Sequence, residues 1–324
     1  MKNDGSAKLD ALDKKIMYEL DLNARIPAAQ LARKLRKSKE TVNFRINRLL
    51  RENYLTGFYG IFNTSRLGWY YSKMYIRFKG ITPEKEQEII EYIQKQSHIS
   101  FLASIEGYYN LIVLVMVKQP DDVAVFLNPF MKLYGEYIQV KDATTFITAH
   151  RLNQKFFTPE AKTNDICYQK QIEAYDSGAQ DKQLLELLSE NARMPLTEMA
   201  KKMVIDQKAV KYRMKKLEKD RIILGYVSSP NFSKLGLQFI QINISFNDPT
   251  VIPSVLEYFD STSKCMFFME MLGKYDVAVE VHVKDNMELK EILDGFRKLF
   301  ANYYTSYDVI TIIKQYKMIW NPFK

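Results

Sequence analysis

The sequence has few of the residues that mark secreted, zinc-binding or membrane-spanning proteins. Its 324 residues include two cysteines, Cys167 and Cys265, without a CxxC spacing, which excludes a zinc finger and a disulfide scaffold. No stretch of 18 apolar residues is free of charge, so no transmembrane helix is predicted. Residues 1–5 lead into a charged segment without the apolar stretch of a secretory signal. We therefore expect a cytoplasmic protein that does not enter a membrane.

Motifs for nucleotide binding, metal binding and hydrolysis are also missing. No GxGxxG, GxxxxGK[ST] or GxSxG pattern occurs, so neither a phosphate-binding loop nor a nucleophile elbow is predicted. The three histidines, His98, His150 and His282, show no HxH or HxxH spacing and are interpreted as surface or satisfied core residues. We expect no catalytic residues, no metal site and no cofactor.

An internal repeat organises the chain. Residues 23–27 return as residues 191–195, with asparagine, alanine, arginine and proline at the same places and an offset of 168 residues. Between residues 13 and 68, 17 of 56 ungapped positions are identical to their counterparts. After the next strand the offset becomes 166, where the turn at Gly107 matches the turn at Gly273. The sequence therefore predicts a tandem duplication.

The net positive charge of the protein comes from the beginning of each repeat. The chain has 47 Lys and Arg against 38 Asp and Glu, a formal net charge of +9. Residues 1–62 carry +6 and residues 178–230 carry +4, which leaves −1 for the rest. We call these two segments the heads. A basic surface without a partner does not explain this confinement, so nucleic acid is the expected partner.

Each head has the pattern of a helix-turn-helix. In the first head an amphipathic helix is followed by a second that starts near Pro27, and Ser38 is the predicted N-cap of a third over residues 39–52. The equivalent third helix of the second head covers residues 207–220. Residues 54–62 then alternate as a strand does and are predicted to form a wing.

The exposed side of each third helix is the predicted DNA-reading face. The major groove admits one helix, whose side chains reach base edges while lysine and arginine neutralise phosphates. The predicted DNA-binding residues are Ser38, Lys39, Thr41, Asn43, Phe44, Asn47 and Arg48 in the first head and Lys208, Lys211, Tyr212, Lys215 and Lys216 in the second. Arg45 and Arg213 occupy matched positions between buried neighbours, where a structural ion pair and a DNA contact are both open.

Each head is followed by a βαββαβ pattern, which is typical of a ferredoxin-like sandwich. The fold class is therefore α+β, with two repeats of a winged helix-turn-helix and a ferredoxin-like domain. The predicted boundaries are 1–62 and 63–154 for the first repeat, 155–177 for a linker that contains Pro159, and 178–230 and 231–324 for the second repeat.

These motifs together resemble the Lrp/AsnC family of transcription regulators. The residues that carry the resemblance are Leu12-Asp13, Asn23-Ala24-Arg25, Leu31-Ala32, Ser38, Thr41-Val42, Arg45-Ile46, Leu49, Gly57 and Leu67-Gly68. The resemblance implies that the αβ-sandwich (RAM-type) domains pair with each other and bind an amino acid or another small-molecule effector. The family's glycine–tyrosine–aspartate turn is similar to Gly107, Tyr109 and Asn110, and more closely to Gly273, Tyr275 and Asp276, which become the candidate effector residues.

The resemblance also implies a particular assembly. Family members usually carry one such unit and dimerise, so the fused chain is expected to form its own pseudo-dimer through the sandwich domains. Whether it then forms a further homodimer is left open.

Departures from the family pattern indicate that the two heads differ. Arg36 and Lys37 occupy a turn where the family commonly has glycine and an apolar residue, and Asp206 replaces Ser38 in the second head. We therefore predict an asymmetric operator in duplex DNA, and leave open whether the second head binds specifically. Two alternatives remain: an enzyme like the sirohaem decarboxylases, which share this layout, and a sensor or scaffold that has lost DNA binding.

Overall fold

The computed structural model describes residues 9–119, 121–158, 165–168 and 174–319. Residues 1–5 and Pro159, used in the predictions above, lie outside these ranges. The helices are α1 (Ala11–Leu22), α2 (Ala28–Leu35), α3 (Lys39–Arg51), α4 (Pro83–Gln94), α5 (Asp122–Tyr134), α6 (Ala179–Glu190), α7 (Leu196–Met203), α8 (Gln207–Lys219), α9 (Ile252–Ser261) and α10 (Asn286–Phe300). Within the described ranges, no helix has the length and apolar character needed to cross a membrane.

The strands among the described residues form two sheets. They are β1 (Leu55–Phe62), β2 (Tyr70–Phe78), β3 (Ile99–Glu106), β4 (Leu111–Val117), β5 (Ile138–Leu152), β6 (Asp165–Tyr168), β7 (Ile223–Pro230), β8 (Gln238–Phe246), β9 (Cys265–Gly273), β10 (Val277–Val283) and β11 (Tyr304–Met318). Strands β1 and β7 form a small sheet of their own, and the other nine strands form one large sheet.

Local sequence explains where the helices of the heads begin. Asp10 and Asp13 form a capping box at the start of α1, in which each side chain accepts a hydrogen bond from the other's backbone N–H. Ser38 caps α3 by accepting from the N–H of Thr41, and Asp206 caps α8 by accepting from the N–H of Ala209. The apolar sides of all six head helices meet in one continuous core.

The strand that was predicted to be a wing has its partner in the other repeat. Strand β1 pairs antiparallel with β7, with Phe58 opposite Ser228 and Gly60 opposite Tyr226. The prediction of a strand at residues 54–62 was right, but the expectation of a wing within one head was incomplete. A strand needs a neighbour for its backbone hydrogen bonds, and here the neighbour is supplied by the duplicated copy.

Two arginines reinforce this junction reciprocally. Arg25 donates to the carbonyl oxygens of Ala192 and Met194, the second at 3.2 Å. Arg193 donates to the carbonyl oxygens of Ala24 and Ile26, at 2.5 and 3.3 Å. Each guanidinium also lies over an aromatic ring of the sheet, at 5.6 Å from the ring centroid for Arg25 and 5.5 Å for Arg193. Each head thus binds the backbone of the other through one arginine. We call these reciprocal contacts the Arg25–Arg193 clamp.

The large sheet closes into a barrel made of both repeats. Eight strands follow one another in the order β2-β4-β3-β11-β8-β10-β9-β5, and β5 pairs with β2 to complete the ring. Each repeat supplies four adjacent strands. Helices α4 and α5 cover the outside of the first half and α9 and α10 cover the second. A further apolar cluster, which includes Tyr75, Phe101 and Phe267, fills the inside.

Part of the predicted linker belongs to this sheet. Strand β6 pairs with β5, where Ile166 lies opposite Arg151. The Ile166 side chain also packs against Ile61 of β1 and Val227 of β7. Within the predicted linker, residues 155–177, the residues 165–168 are thus part of the large sheet. Four residues are too few to show strand periodicity, so this strand is not predictable from the sequence pattern.

We predict that Arg25→Met destabilises the protein by about 2 kcal/mol, because it leaves two backbone carbonyl groups at the junction without their charged donor. Arg193→Met should have a similar effect. The measurement is chemical denaturation of the full chain. Arg33→Met, on the exposed side of α2, is the control and should change the free energy of unfolding by less than about 0.5 kcal/mol. Equal effects of Arg25→Met and Arg33→Met would contradict the structural role of the clamp.

Candidate nucleic-acid interface and interior pocket

The first candidate interface is the outer side of α3. Lys39, Asn43, Phe44 and Asn47 are exposed there, and Phe44 is 60% exposed despite its size. Thr41 is half-buried, and its hydroxyl lies 2.9 Å from the Ser38 hydroxyl at the start of the helix. The face thus offers amide groups and an aromatic ring with one lysine, a combination suited to base edges.

The matching side of α8 is far more basic. Lys208, Lys211, Lys215 and Lys216 are all exposed, and Tyr212 is 69% exposed at the position equivalent to Phe44. Lysines replace Asn43 and Asn47 at the equivalent positions. Because lysine is a flexible point charge, this face is suited to phosphates more than to bases.

Arg48 must be removed from the predicted reading face. Its guanidinium donates to the fully buried carboxylate of Asp13, which also accepts from Arg45 at 3.1 Å. Asp13 is a buried acid on α1, so its charge requires these two partners. Arg45 also binds Asp10, at 2.6 Å, and in the second head Arg213 binds Asp181 at 2.9 Å. Arg45 and Arg213 therefore form structural ion pairs, which was one of the two alternatives for these positions.

The turn between the second and third helices keeps its shape without glycine. Arg36 and Val204, which end α2 and α7, have φ of 53° and 54°. This is the left-handed region that favours glycine, and a β-branched valine is costly there. The turn backbone therefore has the same conformation in both heads, although its side chains differ.

Two of the candidate effector residues, Tyr109 and Tyr275, are buried in the apolar cluster that fills the barrel. The Tyr109 hydroxyl donates to Asp142 and the Tyr275 hydroxyl donates to Asp308, both at 2.5 Å, and the two hydroxyl oxygens are 3.4 Å apart. These pairs are equivalent under the 166-residue offset, so they mark the pseudo-two-fold axis of the chain. Lys274 joins the cluster by donating to Tyr109 and, at 2.7 Å, to Asp142.

The remaining candidate effector residues shape the turn. Asn110 accepts from the backbone N–H of Phe78, and Asp276 accepts from that of Phe246. Gly107 and Gly273 have φ of 143° and 135°, and a Cβ on Gly273 would lie 2.6 Å from a backbone oxygen of the adjacent strand. The structure thus brings all six residues together in pairs, each with contacts inside the protein.

A pocket of about 110 Å³ lies away from that cluster, at one end of the barrel interior. Its wall is mostly apolar and includes Trp69, Phe146 and Met269. Lys73 and Glu280 also line it, with the ammonium and carboxylate 3.6 Å apart, and Lys73 donates to Gln241 at 2.8 Å. Burial lowers the pKa of Lys73 and raises that of Glu280, while their mutual attraction opposes both shifts.

Sequence reasoning missed this pocket, although a signal was present. Lys73 interrupts the inward face of β2 between two tyrosines, and Glu280 interrupts the apolar run of β10. An isolated charge on a buried strand is unusual, because charged side chains are rarely buried without a partner. The sequence pattern does not show that Lys73 and Glu280 pair with each other, since the two residues belong to different repeats.

The three histidines have separate environments. His98 is exposed, whereas His150 lies beside Asp165 at 2.7 Å. His282 is buried between the rings of Phe232 and Phe239, and burial lowers its pKa to about 3. Among the described residues, no histidine lines the interior pocket.

The fold and this site define a class of protein: paired winged helix-turn-helix heads fused to a shared αβ barrel. A model of winged helix-turn-helix DNA-binding domains matches residues 9–56, and a model of AsnC-type helix-turn-helix domains matches residues 179–218. The transcriptional regulator LrpA of Pyrococcus horikoshii is 32% identical over 115 residues, which are 36% of this chain and 82% of LrpA. The regulator Ptr1 of Methanocaldococcus jannaschii is 29% identical over 119 residues, or 37% of this chain and 79% of Ptr1.

The chain therefore belongs to the Lrp/AsnC family of helix-turn-helix regulators, in a duplicated form. The family identification and the two predicted helix-turn-helix heads are confirmed. Over its whole length the chain is similar in fold to the sirohaem decarboxylase NirDL, with a TM-score of 0.64, 11% identity, and coverage of 95% of this chain and 92% of that one.

We predict that Arg48→Met destabilises the first head by about 2 kcal/mol, because Asp13 loses a charged hydrogen bond in a buried position. Lys216→Met, the equivalent change in the second head, removes an exposed lysine and should cost less than about 0.5 kcal/mol. Denaturant unfolding of both variants provides the test. If Arg48→Met leaves the free energy of unfolding unchanged, Arg48 returns to the candidate reading face.

Proposed function

We propose that the protein is a transcriptional regulator that binds duplex DNA through both heads. The observation that carries the proposal is the exposure of two equivalent third helices, α3 and α8, on two heads that share one core and hold the net positive charge of the chain. Family membership supports it, since LrpA and Ptr1 are both described as transcriptional regulators. The cytoplasmic location stays a prediction.

The two heads are proposed to make different contacts with DNA. Lys39, Asn43, Phe44 and Asn47 would read bases, with Ser38 and Thr41 near the phosphate backbone at the start of α3. The second face, with Lys208, Lys211, Tyr212, Lys215 and Lys216, would contribute mainly phosphate contacts. This difference supports the proposal of an asymmetric operator, because the two half-sites would meet unlike surfaces.

The proposal also covers the domain architecture of the barrel. In each repeat the four strands are ordered fourth-first-third-second, as β5-β2-β4-β3 and β11-β8-β10-β9, and two helices cover one face. We propose that each half is a ferredoxin-like, RAM-type domain and that the fused halves replace the dimer of single-unit relatives. The repeat boundaries 1–62, 63–154, 178–230 and 231–324 are kept as proposed domains, and residues 165–168 extend the large sheet beyond the barrel at β5. A further homodimer stays open.

We predict that Lys211→Gln combined with Lys215→Gln weakens DNA binding and lowers the salt slope of the binding constant by about two units, because each phosphate contact contributes about 0.9 units. Affinity is measured against salt concentration by fluorescence anisotropy, on duplexes selected from random sequence. The matched control is Lys132→Gln with Lys298→Gln on the exposed outer helices α5 and α10. If the control lowers the slope as much as the α8 variant does, the proposed face is wrong.

We also propose that a small-molecule effector binds in the interior pocket and not at the glycine–tyrosine turn. The tyrosines of the turn already bond to Asp142 and Asp308, whereas the pocket is open and partly apolar. Lys73 and Glu280 lie 3.6 Å apart in its wall and would exchange this contact for the carboxylate and the ammonium of an amino acid. The decarboxylase alternative finds less support, because none of the three histidines is part of this pocket and likeness of fold alone does not assign chemistry.

We predict that L-leucine or L-methionine raises the melting temperature of the protein by about 3 °C at saturating concentration, since a ligand stabilises the state that binds it. Leu114→Trp, which places a larger side chain in the pocket wall, should abolish the rise. Leu272→Trp at an exposed position of β9 is the matched control and should preserve it. A rise that persists in Leu114→Trp would place the effector elsewhere, and a stoichiometric absorbance band with an iron tetrapyrrole would favour the decarboxylase alternative.

A further inference from the structure

A cysteine, a histidine and an aspartate converge where β5 pairs with β6, outside the sites described so far. His150 lies directly opposite Cys167 in this antiparallel pair, and Asp165 is two residues from Cys167 on the same face. The imidazole Nδ1 is 2.7 Å from the Asp165 carboxylate, and its Nε2 is 3.7 Å from the Cys167 Sγ. The imidazole therefore bridges an acid and a thiol.

The imidazole of this cluster carries a positive charge. The hydrogen bond that it donates to Asp165 and the contact with Cys167 raise the pKa of His150 to about 10, so the imidazole is protonated at neutral pH. A protonated imidazole next to a cysteine stabilises the thiolate, which is the nucleophilic form. Cys167 is also half-buried, so its sulfur is not sealed inside the core.

The other cysteine of the protein has the opposite environment. Cys265 is buried on β9, and burial raises the pKa of its thiol well above the ordinary value. The cluster also has no copy in the second repeat, because Tyr316 occupies the position equivalent to His150. The arrangement at Cys167 is thus specific to one site in a duplicated chain.

We propose that Cys167, His150 and Asp165 form a reactive-thiol site that hydroperoxides oxidise. The Cys167 thiolate attacks one oxygen of hydrogen peroxide, a sulfur–oxygen bond forms and the oxygen–oxygen bond breaks. Sulfur loses two electrons and becomes sulfenic acid, while the peroxide is reduced and leaves as hydroxide. His150 is held in place by Asp165 and supplies the proton that converts this hydroxide to water.

The position of the site connects it to the heads. Ile166, next to Cys167, packs on Ile61 and Val227 in the sheet that joins the heads. The contact is tight, since a Cβ on Gly225 would lie 2.8 Å from the Ile166 side chain. Oxidation that shifts β6 would therefore displace the β1–β7 junction and lower the affinity for DNA. This consequence rests on the proposed function.

The chemical step is tested by treating the full chain with hydrogen peroxide, trapping sulfenic acid with dimedone and quantifying each cysteine peptide by mass spectrometry. We expect labelling at Cys167 to be at least about tenfold faster than at Cys265, because Cys167 is half-buried next to the His150 imidazole whereas Cys265 is buried. His150→Gln and Asp165→Asn should each slow it, with circular dichroism used to verify folding. Equal rates at the two cysteines, or an unchanged rate in a folded His150→Gln variant, would overturn the proposal.

The effect on DNA binding is measured in parallel on the wild type and on Cys167→Ser, before and after peroxide. We expect peroxide to weaken binding by the wild type and to leave the serine variant unchanged. If the untreated wild type binds no DNA, the proposed function fails while the labelling result still decides the reactive site. If oxidised wild type binds as tightly as untreated protein, the link between the site and the heads is wrong.

Discussion

Antiparallel pairing between the two repeats is the constraint on which the rest of the structure depends. It occurs at the β1–β7 sheet and at both seams of the barrel, where β3 meets β11 and β9 meets β5. A two-stranded sheet is marginal by itself, and here the common core of the heads and the Arg25–Arg193 clamp support it. The two third helices are consequently held together by a single folded chain, and their pairing does not depend on protein concentration as the assembly of a dimer does.

Covalent fusion also removes a restriction that symmetry places on a homodimer. In a two-fold interface every residue appears twice, so a charge near the axis is repeated in the partner. In this chain Gln241 is the counterpart of Lys73, and Leu114 is the counterpart of Glu280. One lysine and one glutamate can therefore meet inside the barrel without a second pair. Because the two copies of the repeat can change independently, the third helices α3 and α8 differ strongly in charge. Their caps and buried residues nevertheless remain equivalent.

The elements that sequence predicted well are those whose signals are local. Helix caps such as Ser38, the apolar periodicity of the helices and the duplicated motifs are all short-range features, and the helices occur close to their predicted positions. The partner of β1, the role of Arg48 and the Lys73–Glu280 pair depend on contacts between distant parts of the chain. Periodicity shows that Arg48 is on an outer side of a helix but not that Asp13 is within reach. Strand β6 was missed because four residues hold too little pattern.

The likeness to a sirohaem decarboxylase shows why function cannot be assigned from this architecture alone. Nearly the whole chain superposes on that enzyme at 11% identity, so the paired heads and closed barrel are compatible with both regulation and catalysis. The distinction has to come from side chains. In this protein the positive charge is concentrated on the exposed sides of the heads, the pocket contains a lysine and a glutamate, and the three histidines are dispersed. The Lys73–Glu280 pair in the pocket wall is compatible with the small charged ligand proposed above, and likeness of fold to the decarboxylase does not decide between that ligand and a tetrapyrrole.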